Sequence, residues 1–286
     1  METGQRWVID ADISKYFDSI EHGHLRSFLD LRIKDGVIRR MIDKWLKAGV
    51  LEKGALSRSA AGTPQGGVIS PLLANIFLHY VLDKWFTEVA QPRLKARCQL
   101  IRYADDFVMS FEDHLDGRRM LAVLGKRFAR YGLRLHPEKT RYVDFRFRRP
   151  KGRHPATSGT TFNFLGFTHV WGQSRKGKPV VRQVTAKDRY ARSLKAVRAW
   201  CREHMHLSLK MQHRRLSRSM EGHYAYYGIT GNIRRIRWYH HQVERIWKAT
   251  LSRRSRSGRL TWDRMQRVLE RYPLPAARIV HQWQRS

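Results

Sequence analysis

The sequence is short of acid. Of its 286 residues only 24 are Asp or Glu, against 57 Lys and Arg, and the formal net charge is +33. A chain so charged repels itself, and a polyanion is the partner that relieves the repulsion. Nucleic acid is the first candidate and an anionic membrane the second. Cysteine is nearly absent. Cys98 and Cys201 are the only two, and neither stands in a CxxC or Cys/His spacing. A structural zinc site is therefore not expected, and the count suits a reducing cytosol where thiols stay free. Long apolar runs are missing as well. The longest, Val68 to Leu82, is broken by Ser70, Pro71, Asn75 and His79, too short and too polar to span a bilayer. No basic-then-apolar signal region opens the chain. These absences predict a soluble, cytoplasmic protein with no membrane partner.

What is present is a sizeable core and a lopsided charge. The hydrophobic share is 42%, enough for two or three modest domains. Residues 1–145 carry 24 basic and 18 acidic residues, whereas residues 146–286 carry 33 and 6. The excess is spread over several helical segments rather than gathered in one cluster, which weakens the membrane reading.

Periodicity divides the chain in the same way. Arg6–Ile13 alternates as a strand, with Trp7, Ile9, Ala11 and Ile13 on one face and Val8, Asp10 and Asp12 on the other. Val37, Ile38, Met41, Ile42 and Trp45 recur at helical spacing. Gly62–Gly67 reads as a loop, followed by a helix capped by Ser70 with Pro71 at its first position. Leu100–Ala104 and Phe107–Ser110 form a predicted tight hairpin with Asp105-Asp106 between them. A helix is expected over Leu115–Tyr131, and strands over Arg141–Phe147, Phe162–Trp171 and Pro179–Val184. Arg148–Thr160 is rich in basic and turn residues and marks a boundary. From Ala186 onward the stripes are helical: Leu194, Val197, Cys201; Leu216, Met220, Tyr224, Tyr227; Ile236, Tyr239, Val243, Ile246, Trp247. The front is α+β and the back all-helical and basic.

Asp12, Asp105 and Asp106 are the residues that carry chemistry. If their strands pair, three carboxylates converge at one end of a sheet. Nucleotidyl transfer needs such a cluster, because two Mg²⁺ ions about 3.5–4 Å apart activate the attacking hydroxyl and neutralise the leaving pyrophosphate. Magnesium favours hard oxygen ligands, and the catalysis is then mostly positioning and charge neutralisation. Taken alone, Asp-Asp is also a good hairpin turn in any protein.

The surrounding motifs decide between these readings. Tyr103-Ala104-Asp105-Asp106, with Leu100-Ile101-Arg102 before it and Phe107-Val108 after, resembles the YADD box of reverse transcriptases, specifically those of group II introns. Asp12 to Ile20 followed by Glu21-His22 resembles their first palm motif, and Gly62–Asn75 (GTPQGGVISPLLAN) their loop-and-helix signature. Gly132–Thr140 resembles the next motif, and Phe162–Phe167 the primer-grip segment. Leu216–Tyr227 is similar to the segment leading from thumb to maturase domain, with looser matches at Trp247–Leu251, Leu260-Thr261-Trp262 and Leu274-Pro275. Five motifs in family order across about 160 residues make coincidence negligible.

The resemblance implies a right-hand polymerase palm, an antiparallel sheet with packed helices, over residues 1–147 with a remnant of the fingers. It implies a linker and primer-grip β-hairpin over 148–185, and a helical thumb and RNA-binding maturase domain over 186–286. Asp12, Asp105 and Asp106 would ligate two Mg²⁺, with the Ile13 carbonyl as a further oxygen; Asp10 lies outside the motif. Phe17 would be the steric gate that selects deoxynucleotides, or else a core side chain. Gln65 and Gly66 would meet the incoming nucleotide. Lys139 would serve the leaving pyrophosphate, or simply be solvated. Phe164, Leu165 and Gly166 would grip the primer. Implied partners are the intron RNA, a DNA primer or target, and dNTPs. Trp238, Tyr239, Trp247 and Trp262 could stack on bases or pack the core.

Family members carry fingers ahead of the residue matching Asp12, while here only Met1 to Ile9 precede the strand. The expectation is a fragment of a longer gene rather than a degenerate product, and no Cys/His endonuclease module follows Arg278. Two other readings stay open: a non-catalytic RNA-binding splicing factor, and a retron-type polymerase, which the maturase-like tail disfavours.

Overall fold

A computed structural model describes residues 4–47, 50–52, 55–57, 68–147, 161–174, 176–254 and 260–282. The chain parts into two compact units, Met1–Phe164 and Leu165–Ser286. Most of the basic linker lies outside the described residues.

The first unit is built on β1 (Trp7–Ala11), whose alternation sends Ile9 and Ala11 into the core with Ile13 behind them. Two helices follow, α1 (His22–Asp30) and α2 (Gly36–Lys47), then a short hairpin of β2 (Val50–Glu52) and β3 (Ala55–Ser57). The apolar stripe expected on α2 does not all point inward. Ile42 and Leu46 are buried, but Val37, Ile38, Met41 and Trp45 are exposed. Two ion pairs fix this rotation: Arg26 to Asp43 at 2.7 Å and Arg39 to Asp30 at 2.9 Å hold the polar side of α2 against α1.

The next helix, α3 (Ser70–Leu78), begins one residue earlier than its sequence signal, with Ile69 at the cap position and Pro71 in the first turn. It widens into π-helical turns at His79–Lys84 and Phe86–Ala90. Then come β4 (Cys98–Tyr103), β5 (Asp106–Phe111), α4 (His114–Ala129) and β6 (Arg141–Asp144). The antiparallel sheet runs β4-β5-β1-β6, so β1 is central although it comes first in the chain. Phe77, Leu78, Val81, Leu82, Leu124 and Phe128 pack in the same core as Ile9 and Ala11.

The single strand expected over Phe162–Trp171 is two: β7 (Phe162–Phe164) and β8 (Phe167–Gln173). Leu165 and Gly166 separate them with φ of 48° and 75°. Both φ values are those of a type I′ turn, which reverses an extended chain in two residues.

In the second unit β8 pairs with β9 (Pro179–Thr185) as a hairpin. Four helices follow: α5 (Lys187–Glu203), α6 (Leu209–Tyr227), α7 (Ile233–Ser252) and α8 (Trp262–Arg271). The three helical stripes of the sequence meet in one core, with Trp247 and Tyr239 fully buried. Trp247 donates its indole N–H to Gln212 at 2.8 Å, and Gln212 donates on to the His204 carbonyl at 2.8 Å. Trp238 and Trp262 remain exposed.

His223 lies flat on Tyr239, ring centroids 3.7 Å apart, with Tyr224 and Tyr227 beside it. Burial lowers its imidazole from 6.5 to about 4. The unfolded chain therefore takes up this proton first. The stability linked to it is complete above pH 6.5 and is lost as pH falls towards 4, by about 3 kcal/mol in all. Urea unfolding at pH 7 and pH 4.5 should show His223→Phe losing less stability between the two than the parent; an equal loss would count against the assignment.

Candidate functional site

Strand register brings the motifs together. The β1–β5 ladder ends on the pair Ala11↔Phe107. Continued by one residue, it sets Asp12 across from Asp106, and residues directly opposite on antiparallel strands share a face. The β4–β5 turn itself is Ala104-Asp105, since Tyr103 pairs with Asp106 and Asp106 begins β5. The expected Asp105-Asp106 turn is thus shifted by one residue. Ala104 takes the positive φ, 55°, at the first turn position, as a II′-type turn requires.

The chain beyond β1 is held from the other side. The Asp12 carbonyl accepts from His136 N–H at 2.8 Å, and Ser14 N–H donates to the Arg134 carbonyl at 2.9 Å. Ile13 bridges Leu135 between these two bonds. Because the polar groups of successive strand residues alternate in direction, the Ile13 carbonyl turns away from this segment, towards the side of β5 and its turn. Its side chain is buried in the core, so the carbonyl is what it can offer a ligand.

Among the described residues no group of three or more His, Cys, Asp and Glu stands close enough to hold one metal ion. The recorded pairing stops one residue short of Asp12 and Asp106, at Ala11↔Phe107, and the three aspartates do not form such a group. Asp12 Oδ2 accepts instead from Lys139 Nζ at 3.0 Å. Asp10 pairs with Arg141 at 2.8 Å. Burial raises the Asp10 carboxyl above its usual range; Arg141 opposes the rise and the charge of Asp12 adds to it.

Lys15, φ 46°, leads into the short 3₁₀ turn Tyr16–Ser19. Tyr16 is buried and donates its O–H to the Ala74 carbonyl at 2.5 Å. Burial raises its phenol; Arg102 acts against this, and Asp105 and Asp83 add to it. Phe17 is half-buried, its ring 5.5 Å from that of Tyr16. Gln65 and Gly66 lie outside the described residues. In the second unit, the Leu165-Gly166 turn rests on the paired tyrosines of α6. Tyr226 O–H donates to the Leu165 carbonyl at 2.9 Å, and a Cβ on Gly166 would stand 3.0 Å from the Tyr227 hydroxyl. Phe164 is the last residue of the first unit and is half-buried.

Arg102, Asp83 and Asn75 went unnoticed as site residues in the sequence. Arg102 bonds both of the others and the Ala104 carbonyl. Its one sequence signal is its place two residues before Ala104.

The strand order, the paired turn and the motif residues gathered at one end of the sheet define an α+β chain with a carboxylate-bearing hairpin. The chain belongs to the reverse transcriptase (RNA-dependent DNA polymerase) family, whose profile matches residues 1–169. Group II intron-encoded proteins are among the relatives it resembles. It is 46% identical over 86 residues to the group II intron-encoded protein LtrA of Lactococcus lactis subsp. cremoris, covering 30% of this chain and 14% of that one. It is 35% identical over 133 residues to YkfC of Escherichia coli K12, covering 38% of this chain and 35% of that protein. Among solved structures it aligns with apo telomerase from Candida tropicalis at 12% identity and a TM-score of 0.47, over 94% of this chain and 49% of that one. The matches span well under two thirds of these relatives. No helix among the described residues is long and apolar enough to cross a membrane.

Gly132 opens the segment that holds Asp12. Its φ is 74°, and a Cβ there would stand 2.7 Å from Glu21 Oε1. Glu21 can swing aside, so the backbone conformation sets most of the cost. Gly132→Ala should lose about 1–3 kcal/mol in urea unfolding; an unchanged midpoint would show that the turn relaxes freely.

Proposed function

We propose that this chain carries the palm, primer grip and RNA-binding helices of a group II intron reverse transcriptase, which copies intron RNA into DNA and assists splicing by binding that RNA. The observation that carries the reading is the β1–β5 pairing that ends on Ala11↔Phe107, one residue before Asp12 and one after Asp106.

The donors suit magnesium. Three carboxylates and a backbone carbonyl would offer hard oxygens, and Asp12 already attracts a cation, the Lys139 ammonium. Asp12, Asp105, Asp106 and Ile13 would hold two Mg²⁺. When bound, these ions supply activation of the primer 3′-hydroxyl and neutralisation of charge on the transferred phosphate. The protein does the rest. Phe17 lies one residue past Tyr16, which α3 holds, and its ring would exclude a ribose 2′-hydroxyl. Gln65 and Gly66 would contact the nucleotide. Lys139, freed from Asp12, would hold a proton or a positive charge at the departing pyrophosphate. Phe164, Leu165 and Gly166 would set the primer end, the turn being braced by Tyr226.

The helical unit supplies the nucleic-acid surface. Arg189, Arg192, Lys195, Arg198 and Arg202 are exposed along α5, while Leu194, Val197 and Cys201 are buried. Such a row binds phosphates by counterion release. On α7, Trp238, Arg234 and Arg237 are exposed, and Lys248 lies 5.1 Å from the Trp262 ring. The second reading, an RNA-binding splicing factor without catalysis, draws on the open arrangement of the carboxylates.

Primer extension on an RNA template with dNTPs and Mg²⁺ decides between the two. Asp105→Ala should abolish extension and leave RNA affinity within about twofold, because it removes no cation that could contact phosphate; equal extension by the variant would end the metal assignment. Phe17→Ala should admit ribonucleotides, and unchanged sugar discrimination would return Phe17 to the core. Replacing Arg192 and Arg198 together by Ala should lower the slope of log affinity against log salt by roughly 1.5, whereas an unaltered slope would remove α5 from the interface.

A further inference from the structure

Three sequence motifs meet in one network behind the Asp105 turn. The Arg102 guanidinium, whose side chain is 14% exposed, lies bidentate on Asp83, with Nε 2.7 Å from Oδ1 and Nη2 2.5 Å from Oδ2. Its remaining nitrogen, Nη1, donates to Asn75 Oδ1 at 2.9 Å and to the Ala104 carbonyl at 2.8 Å. Asn75 belongs to α3 and Asp83 to the π-helical turn that continues it. Tyr16, from the segment after Asp12, is tied to the same helix at Ala74.

The carbonyl that Arg102 holds belongs to Ala104, whose φ of 55° is unfavourable for a residue with a Cβ. Such a conformation persists when its surroundings over-determine it. A guanidinium can do this because its planar fork offers five N–H donors in fixed directions, so one group satisfies a carboxylate, an amide and a carbonyl together. A lysine ammonium could reach one or two of these, without the bidentate fit. Arg102 therefore joins β4, the turn before Asp105 and α3 through a single side chain.

We propose that Arg102 is a positioning residue: by clamping the Ala104 carbonyl against Asn75 and Asp83, it fixes the left-handed turn that aims Asp105 and starts Asp106 on β5. The role of those carboxylates in holding metal rests on the polymerase reading. Asp83 and Asn75 are the anchors of the clamp, and α3 is the frame against which the turn is set.

The test uses the full chain and reads metal binding as well as activity. Arg102→Met alone leaves the half-buried Asp83 with His79, 3.7 Å away, in place of its bidentate guanidinium, which destabilises the fold by itself. Arg102→Met is therefore combined with Asp83→Leu, which removes that stranded charge, and Arg102→Lys is measured beside it. Mn²⁺ binding is followed by electron paramagnetic resonance, extension is titrated with Mg²⁺, and thermal melting checks the fold. The double variant, melting within a few degrees of the parent, should bind Mn²⁺ at least tenfold more weakly. It should need a correspondingly higher Mg²⁺ concentration for half-maximal extension and lose turnover, with the KM for primer–template within about twofold. Arg102→Lys should restore little of this. Unchanged Mn²⁺ affinity in a folded double variant, or full rescue by Lys, would reduce Arg102 to a structural ion pair and leave the polymerase reading intact. A parent that binds Mn²⁺ but extends no primer would overturn the polymerase reading, while weakened Mn²⁺ binding in the variant would still uphold the clamp.

Discussion

The first unit depends on where β1 lies. It is the first strand in the chain, yet it occupies an interior position of the sheet, with β5 on one side and β6 on the other. An interior strand uses the polar groups of both its edges, so the register on each side is fixed by hydrogen bonds and by the burial of Ile9 and Ala11. A slip of one residue would turn Asp10 and Asp12 into the core and Ile9 out of it, at a cost no surface contact could offset. That constraint fixes the ladder up to Ala11↔Phe107, the pair next to Asp12 and Asp106. It also leaves Asp10 one pleat further in, matched with Arg141. Two aspartates that look alike in the sequence are thereby given different partners.

Backbone strain is gathered around the motifs. The non-glycine residues with positive φ among those described are Lys15, Ala104 and Leu165. They stand three residues after Asp12, immediately before Asp105, and in the turn between β7 and β8. Each is braced by its surroundings: the Lys15 carbonyl accepts from Asp18 N–H and from the Ser19 hydroxyl, Ala104 is bonded by Arg102, and Leu165 by Tyr226. Conformations that L-residues avoid are kept here by hydrogen bonds from neighbouring groups.

The second unit solves a different problem. It must present many cations without letting them separate its helices. It does so by segregation. Leu194, Val197, Cys201, Met220, Tyr239, Val243 and Trp247 share one core, and polar groups that enter it, such as Gln212 and Asn232, are hydrogen-bonded to side chains and carbonyls. Arginine and lysine line the outer faces, where water screens their repulsion.

The sequence by itself determined the family, the α+β front and helical back, the inward faces of β1 and of α5 to α7, and the candidate carboxylates. These follow from local periodicity, from charge and from motifs of contiguous residues. Its errors were local too: the Asp105-Asp106 turn lies one residue earlier, the Phe162–Trp171 strand is cut by a two-residue turn, and most of the α2 stripe faces outward. Each depends on a contact that periodicity does not encode, as when Arg26 and Asp43 set the rotation of α2. Only the tertiary structure decided that Lys139 pairs with Asp12, that Asp10 pairs with Arg141, and that Arg102 joins α3 to the turn before Asp105. Asn75 and Arg102 stand 27 residues apart in the chain, and Asp10 and Arg141 stand 131 apart. No one-dimensional pattern brings such residues together, whereas strand register and helix packing do.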